Sequence, residues 1–187
     1  MLIRTGCAVL GLTFAVAALA GAGCGGGSGG GPSGGTPIPT SVPGNKRISD
    51  LTPSERDQFC ADLTAWAMSG PFLTDGCNAS ALLATYAQAT VETTATDADL
   101  RTSCAMLYSA CVAGGVTSMC SQIPSTCTAT VSEYDTCVSD STAALGGLPE
   151  CSSVTRASLP SSISRLTNPP SSAACTALQS KCPSATM

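Results

Sequence analysis

The chain has 187 residues, 43% of them hydrophobic, a net charge of −4, 12 cysteines and no histidine. Without histidine, Ser-His-Asp and Cys-His nucleophile arrangements and HExxH zinc sites are excluded. The acidic balance argues against nucleic acid or an anionic bilayer surface as a partner.

The first 23 residues carry one cation, Arg4, followed by a run from Gly6 to Ala20 that is apolar apart from Thr13. That is the charged and apolar sequence of a secretory signal, too short for a membrane span of about 20 apolar residues. Its end, Gly21-Ala22-Gly23-Cys24, resembles the lipobox of bacterial lipoproteins, in which small residues precede a cysteine that is lipidated and becomes the N-terminus. The family's usual leucine is replaced here by Gly21. The competing reading is ordinary cleavage after Ala20 or Ala22. Cysteine parity separates the two: Cys7 leaves with the leader, ordinary cleavage strands an odd thiol, and lipidation of Cys24 leaves an even set of ten. The resemblance implies attachment to a membrane through lipid on Cys24. With Gly25 rather than Asp after the cysteine, it further implies passage to the outer membrane, on its periplasmic or surface face. The alternative is a secreted protein.

From Gly25 to about Arg47 the chain is dominated by Gly, Ser and Pro, with no aromatics and little that could bury apolar area. It predicts a disordered tether spanning on the order of 25–30 Å. The tract lacks the GK[ST] of a phosphate loop. The expected organisation is therefore a lipoprotein-type signal over 1–23, lipidated Cys24 with a linker over 24–48, and a cysteine-rich domain over 49–187. That domain holds all 12 carboxylates and five of the eight cations. Charged residues make up 11% of the chain against about 25% in typical domains, so a thin core needs cross-links.

Thr52-Pro53-Ser54-Glu55 is a capping box with proline at the first helical position. It predicts a helix with Phe59, Leu63 and Trp66 inward, stopped by Gly70-Pro71. A second helix is expected from about Ala79 to Thr90, with Leu82, Leu83, Tyr86 and Ala87 inward. A third runs from Thr96 or Asp97 to Ala113, with Leu100, Cys104, Leu107, Tyr108 and Cys111 on one face. A fourth, about Ala129 to Ala144, turns Val131, Tyr134, Cys137 and Val138 inward. Residues 146–170, rich in Gly and Pro, read as loop with one short helical turn, and a last helix spans about Ser171 to Lys181. No period-2 run of β-branched residues supports strands. The expected fold is all-α, a small disulfide-stapled bundle of about five helices.

Ten cysteines remain for structural bridges: Cys60, Cys77, Cys104, Cys111, Cys120, Cys127, Cys137, Cys151, Cys175 and Cys182. Cys104 and Cys111 are seven residues apart on one helix, as are Cys175 and Cys182. That puts them about 10 Å apart, beyond the reach of about 7 Å that a disulfide allows. Each helix must therefore be stapled at two points to other elements. With helices three and four taken as a hairpin, the expected pairs are Cys104 with Cys137, and Cys111 with Cys120 or Cys127. The two helices share a Cys-x-x-Leu-x-Ser-x-Cys pattern, which duplication or chance explains equally well. There is no CxxC pair for redox exchange and no close-spaced ligand set for zinc.

Carboxylates are the remaining catalytic candidates, with Glu133, Asp135 and Asp140 on one helix and Asp97 and Asp99 at the start of another. Asp97, Asp99 and Glu92 suit helix-start charges, and Glu133 suits a capping-box partner of Thr130. Ser180-Lys181 is adjacent in sequence and cannot face itself as a dyad. Asp75-Gly76-Cys77-Asn78 lacks the calcium-loop pattern. Asn78-Ala79-Ser80 matches a glycosylation acceptor, which the resemblance to bacterial lipoproteins makes irrelevant.

The segments LTPSERDQFC (51–60), TATVSEYDTC (128–137) and LPECSSVT (148–155) resemble a recurrent cysteine-rich module of secreted or lipid-anchored proteins of myxobacteria and their relatives. The resemblance covers about a quarter of the domain. It implies location and architecture and carries no assigned activity. The expectation is a non-enzymatic envelope module without cofactor or metal, binding an envelope protein or glycan. The alternatives are a hydrolase working through Glu133 or Asp135, and a thiol redox or metal-handling protein.

Overall fold

Three threonines begin three helices by the same chemistry. In each, the threonine hydroxyl accepts the amide three residues on, and that residue's carboxylate accepts the threonine amide in return, which satisfies two donors that a helix start otherwise leaves free. The pairs are Thr52 with Glu55, Thr96 with Asp99 and Thr130 with Glu133, the threonine amide donating over 2.9 Å each time. In the computed structural model, which describes residues 37–115, 125–168 and 172–182, these open α1 (Pro53–Ser69), α3 (Asp97–Gly114) and α4 (Val131–Leu145). The other helices are α2 (Pro71–Val91), α5 (Leu159–Thr167) and α6 (Ala173–Lys181), with 3₁₀ turns at Ile48–Asp50 and Cys151–Ser153. Among the described residues there are no strands, only one isolated bridge between Arg47 and Thr130. The chain is all-α and stapled by disulfides.

Several boundaries differ from expectation. Helix α2 starts at Pro71, eight residues before Ala79, because Gly70 ends α1 and begins α2 in one extended residue and Pro71 needs no amide partner at a first position. Its buried stripe is Ala81, Leu82, Thr85 and Ala89, whereas Leu83 is 51% exposed and Ala87 also faces out. Of the stretch expected as loop, the described residues 146–168 hold a 3₁₀ turn and a helix. Pro160 sits in the first turn of a nine-residue helix, α5, where proline is tolerated, and Leu159 is buried beneath it. Glu92 caps the end of α2 and does not start a helix.

Two buried clusters hold the molecule. One gathers Ile38, Val42 and Ile48 with Phe59, Leu63 and Trp66 of α1, Val131, Tyr134 and Val138 of α4, and Leu178 of α6. Phe59 meets Tyr134 edge to face, with ring centroids 5.8 Å apart. The other joins α2 and α3 to residues 148–159 through Leu82, Leu100, Leu148, Val154 and Leu159. Burying a side chain of this size stabilises by about 1.5–3 kcal/mol. Helix α3 packs on α2 and the Cys151–Ser153 turn, and α4 packs on α6 and α2. The hairpin expected between helices three and four is therefore replaced by α2–α3 and α4–α6 pairs.

The bridges follow that pairing. Cys77 joins Cys111, Cys104 joins Cys151, Cys127 joins Cys182 and Cys137 joins Cys175. The expected link of Cys104 with Cys137, and that of Cys111 with Cys120 or Cys127, do not form, since Cys137 faces α6, Cys104 faces the 3₁₀ turn and Cys111 is taken by Cys77 of α2. The two-point rule itself holds. Helix α3 is stapled to α2 and to Cys151, and α6 to Cys127 and to α4, with no bridge within either helix. The shared cysteine pattern does not give equivalent environments: Leu178 is fully buried and Leu107 is 38% exposed.

Candidate functional site

Pro37-Ile38-Pro39-Thr40-Ser41-Val42-Pro43 cannot form a helix, because each proline fixes φ, removes an amide and pushes the preceding residue into extended conformation. The chain therefore runs as an extended strap, and in an extended chain alternate side chains share a face. Ile38 and Val42 are 3% and 5% exposed, while Pro37, Pro39, Ser41 and Pro43 face solvent. The inward face continues through Gly44 and Lys46 to Ile48, which is fully buried. The packed body thus includes residues 37–48, which the composition assigned to the linker. The alternation Ile38, Val42, Ile48 was present in the sequence, masked by the surrounding Gly, Pro and Ser.

Side-chain carboxylates clamp the strap's backbone. The Ile38 amide donates to Asp135 on α4 over 2.7 Å, and the Ser41 amide and hydroxyl both donate to Asp62 on α1 over 2.9 Å. Further along, Val131 and Ser132 donate their amides to the carbonyls of Lys46 and Gly44, and Ile48 and Ser49 donate to Ala129 and Cys127. A Cβ on Gly44 would lie 3.3 Å from Ser132 Cβ, so glycine permits the close approach to the start of α4. Lys46 forms an ion pair with Glu55 at 2.6 Å.

These contacts set the titration of the acids. The Lys46 ammonium, aided by Thr52, lowers Glu55 to about 2. The Ser41 amide holds Asp62 below its usual range. Lys181, paired with Glu133 across to α6, lowers Glu133, with the Thr130 amide adding to it. Burial alone pushes Asp75 up, and burial pushes the Tyr134 phenol to about 12.

The structure places the candidate residues as follows. Glu133 and Asp135 lie on α4 but serve different partners, Lys181 with the helix cap and the strap amide of Ile38. They are not brought together on one cleft. Asp99 is the capping partner of Thr96, and Asp97 accepts the Arg156 amide at 2.9 Å. Lys181 faces Glu133, and the Ser180 hydroxyl donates to the Ala177 carbonyl. Asn78 lies within α2 and donates to the Pro149 carbonyl. Nine of the ten cysteines, Cys60 included, are disulfide-bonded, while Cys120 and Cys24 lie outside the described residues. Among the described residues no three His, Cys, Asp or Glu side chains form a metal-binding group, and no helix is long and apolar enough to cross a membrane.

One residue the sequence did not single out has a marked role. The Arg156 guanidinium donates to the carbonyls of Ala89, Glu92 and Ala95 over 2.5–3.0 Å, closing the C-terminus of α2 where free carbonyls and the helix dipole favour a cation. Comparison with protein-family models, with curated proteins and with solved structures returns no match.

Proposed function

We propose that the protein is an exported, lipid-anchored module of a bacterial envelope that acts by binding or by structural support rather than by catalysis. The observation that carries this reading is the engagement of the described domain cysteines in disulfides, which form and persist mainly in oxidising compartments outside the cytosol. The leader ending in Cys24 supports the same location, and the even count of domain cysteines supports lipidation over a stray thiol. Its acyl chains hold it in the outer membrane. The carboxylates best suited to chemistry are occupied in caps and clamps: Glu133 with Lys181 and Thr130, Asp135 with Ile38, Glu55 with Lys46. The acidic, cross-linked surface is what remains for an envelope protein or glycan.

The test is metabolic labelling with a fatty-acid analogue, together with membrane fractionation. Label on the unmodified chain that disappears in Cys24→Ala, with release of that variant from the membrane fraction, supports the reading. A chain that fractionates as soluble and carries no label overturns the anchor. A hydrolytic activity lost in Glu133→Gln or Asp135→Asn overturns the non-catalytic part.

A further inference from the structure

The strap contacts the body as a bound peptide would. Its two buried side chains, Ile38 and Val42, are four residues apart on one face, and its amides at positions 38 and 41 end on carboxylates of two different helices. Those carboxylates receive the backbone, so the groove between α1 and α4 reads an extended chain bearing two apolar side chains at that spacing. Three prolines, Pro37, Pro39 and Pro43, hold the segment near the bound conformation before it docks and lower the ordering cost. The strap joins the body only at its C-terminal end among the described residues, through the turn at Ile48–Asp50. It contributes no disulfide.

We propose that this groove is a recognition site for an extended segment, and that its partner in trans is the strap of a second copy of this chain, so that neighbouring molecules exchange straps. An identical segment repeats every contact made within one molecule, and only the connection differs, which is the condition for exchange of a terminal element. Asp62, Asp135, the Ile38 seat and the Val42 seat define the site. Lys46 and Glu55 mark its C-terminal end, where the strap turns into the body. Confinement of many copies to one membrane face favours exchange, although the groove itself does not depend on the anchor.

The probe is a fluorescent peptide of residues 37–44, PIPTSVPG, added to the full chain carrying Ile38→Ser and Val42→Ser, which weakens the resident strap. Saturable binding is expected, reduced at least tenfold by Asp135→Asn or Asp62→Asn and absent for a peptide with serine at both apolar positions. In parallel, native mass spectrometry of mixed heavy and light unmodified chains should show mixed dimers that grow with concentration and vanish in the double serine variant. No peptide binding to a variant that keeps its helical signal and bridges overturns the groove. Peptide binding without mixed dimers at any concentration overturns the second copy as partner and leaves the groove for a segment of another protein. Should the variant fail to fold, hydrogen exchange of the unmodified chain decides. The Ile38 and Ser41 amides should exchange at least tenfold faster than the core amides of α4, and equal rates overturn a releasable strap.

Discussion

The Ile38 amide and Asp135 Oδ1 lie 2.7 Å apart across 97 residues of sequence. That one contact ties the start of the described chain to the second turn of α4, and it makes the Asp135 carboxylate a clamp on the strap. Asp135 also accepts from the Ser139 hydroxyl one turn on, so its orientation is set from its own helix. A hydrogen bond to a charged acceptor contributes about 1.5–3 kcal/mol. Asp135→Ala should therefore lower stability by about 1–2 kcal/mol after discount for its partial exposure, read as the midpoint of urea unfolding. The loss should be accompanied by faster exchange at Ile38 and by little change at the amides of α3.

Arg156 ties the end of α2, at Ala89 and Glu92, to the following loop at Ala95 through three carbonyls, a geometry that needs the guanidinium fork. Arg156→Ala should cost about 1–2 kcal/mol, because it leaves helix-end carbonyls with fewer partners. Arg156→Lys should recover less than half of that, since an ammonium cannot span all three acceptors. Thermal unfolding followed by circular dichroism measures both, and equal stability of the lysine variant and the parent would count against the fork.

Acid should loosen the strap and the cap of α1 together. Glu55 is lowered to about 2 by Lys46 and Thr52, and Asp62 and Glu133 are lowered by Ser41 and Lys181. A carboxyl depressed in the folded state contributes stability that is present above its unfolded pKa and is lost as pH falls through the folded value. For Glu55 that window runs from about 4.5 down to about 2. Urea midpoints taken across this range should fall steadily, and Glu55→Gln should flatten the slope. Tyr134 works at the other extreme: raised to about 12, its neutral form contributes stability that is lost as pH climbs from 10 toward 12.

Asp75 has the opposite sign to the clamps. Burial raises it, so the ionised form is disfavoured in the fold and weakens it at neutral pH. Asp75→Asn should stabilise by up to about 0.5 kcal/mol at pH 7, a typical bound for a surface change. The gain should disappear at low pH, where the parent carboxyl is protonated. A gain that persists in acid would point to packing rather than charge.

Each bridge should contribute about 2–4 kcal/mol against a net stability of about 5–15 kcal/mol, so full reduction should unfold the chain. Non-reducing peptide mapping should return Cys77–Cys111, Cys104–Cys151, Cys127–Cys182 and Cys137–Cys175. Cys60 is bridged as well. Recovery of Cys60 as a free thiol would contradict its bridge.

Local chemistry was readable in advance wherever the cause lies within a few residues. The capping boxes at Thr52 and Thr130, the inward faces Phe59-Leu63-Trp66 and Val131-Tyr134-Cys137-Val138, and the exclusion of bridges inside α3 and α6 all follow from helix geometry and spacing. The helical class follows with them. The partners chosen at long range were not readable. Which cysteine Cys104 meets and where Arg156 reaches depend on how α2 lies between α3 and α5, and why Ile38 is buried depends on how α1 and α4 meet; no spacing along the chain encodes either. A proline-rich stretch looks like linker by composition because its burial rests on only two side chains, and a groove built by α1 and α4 is needed before those two have anywhere to go.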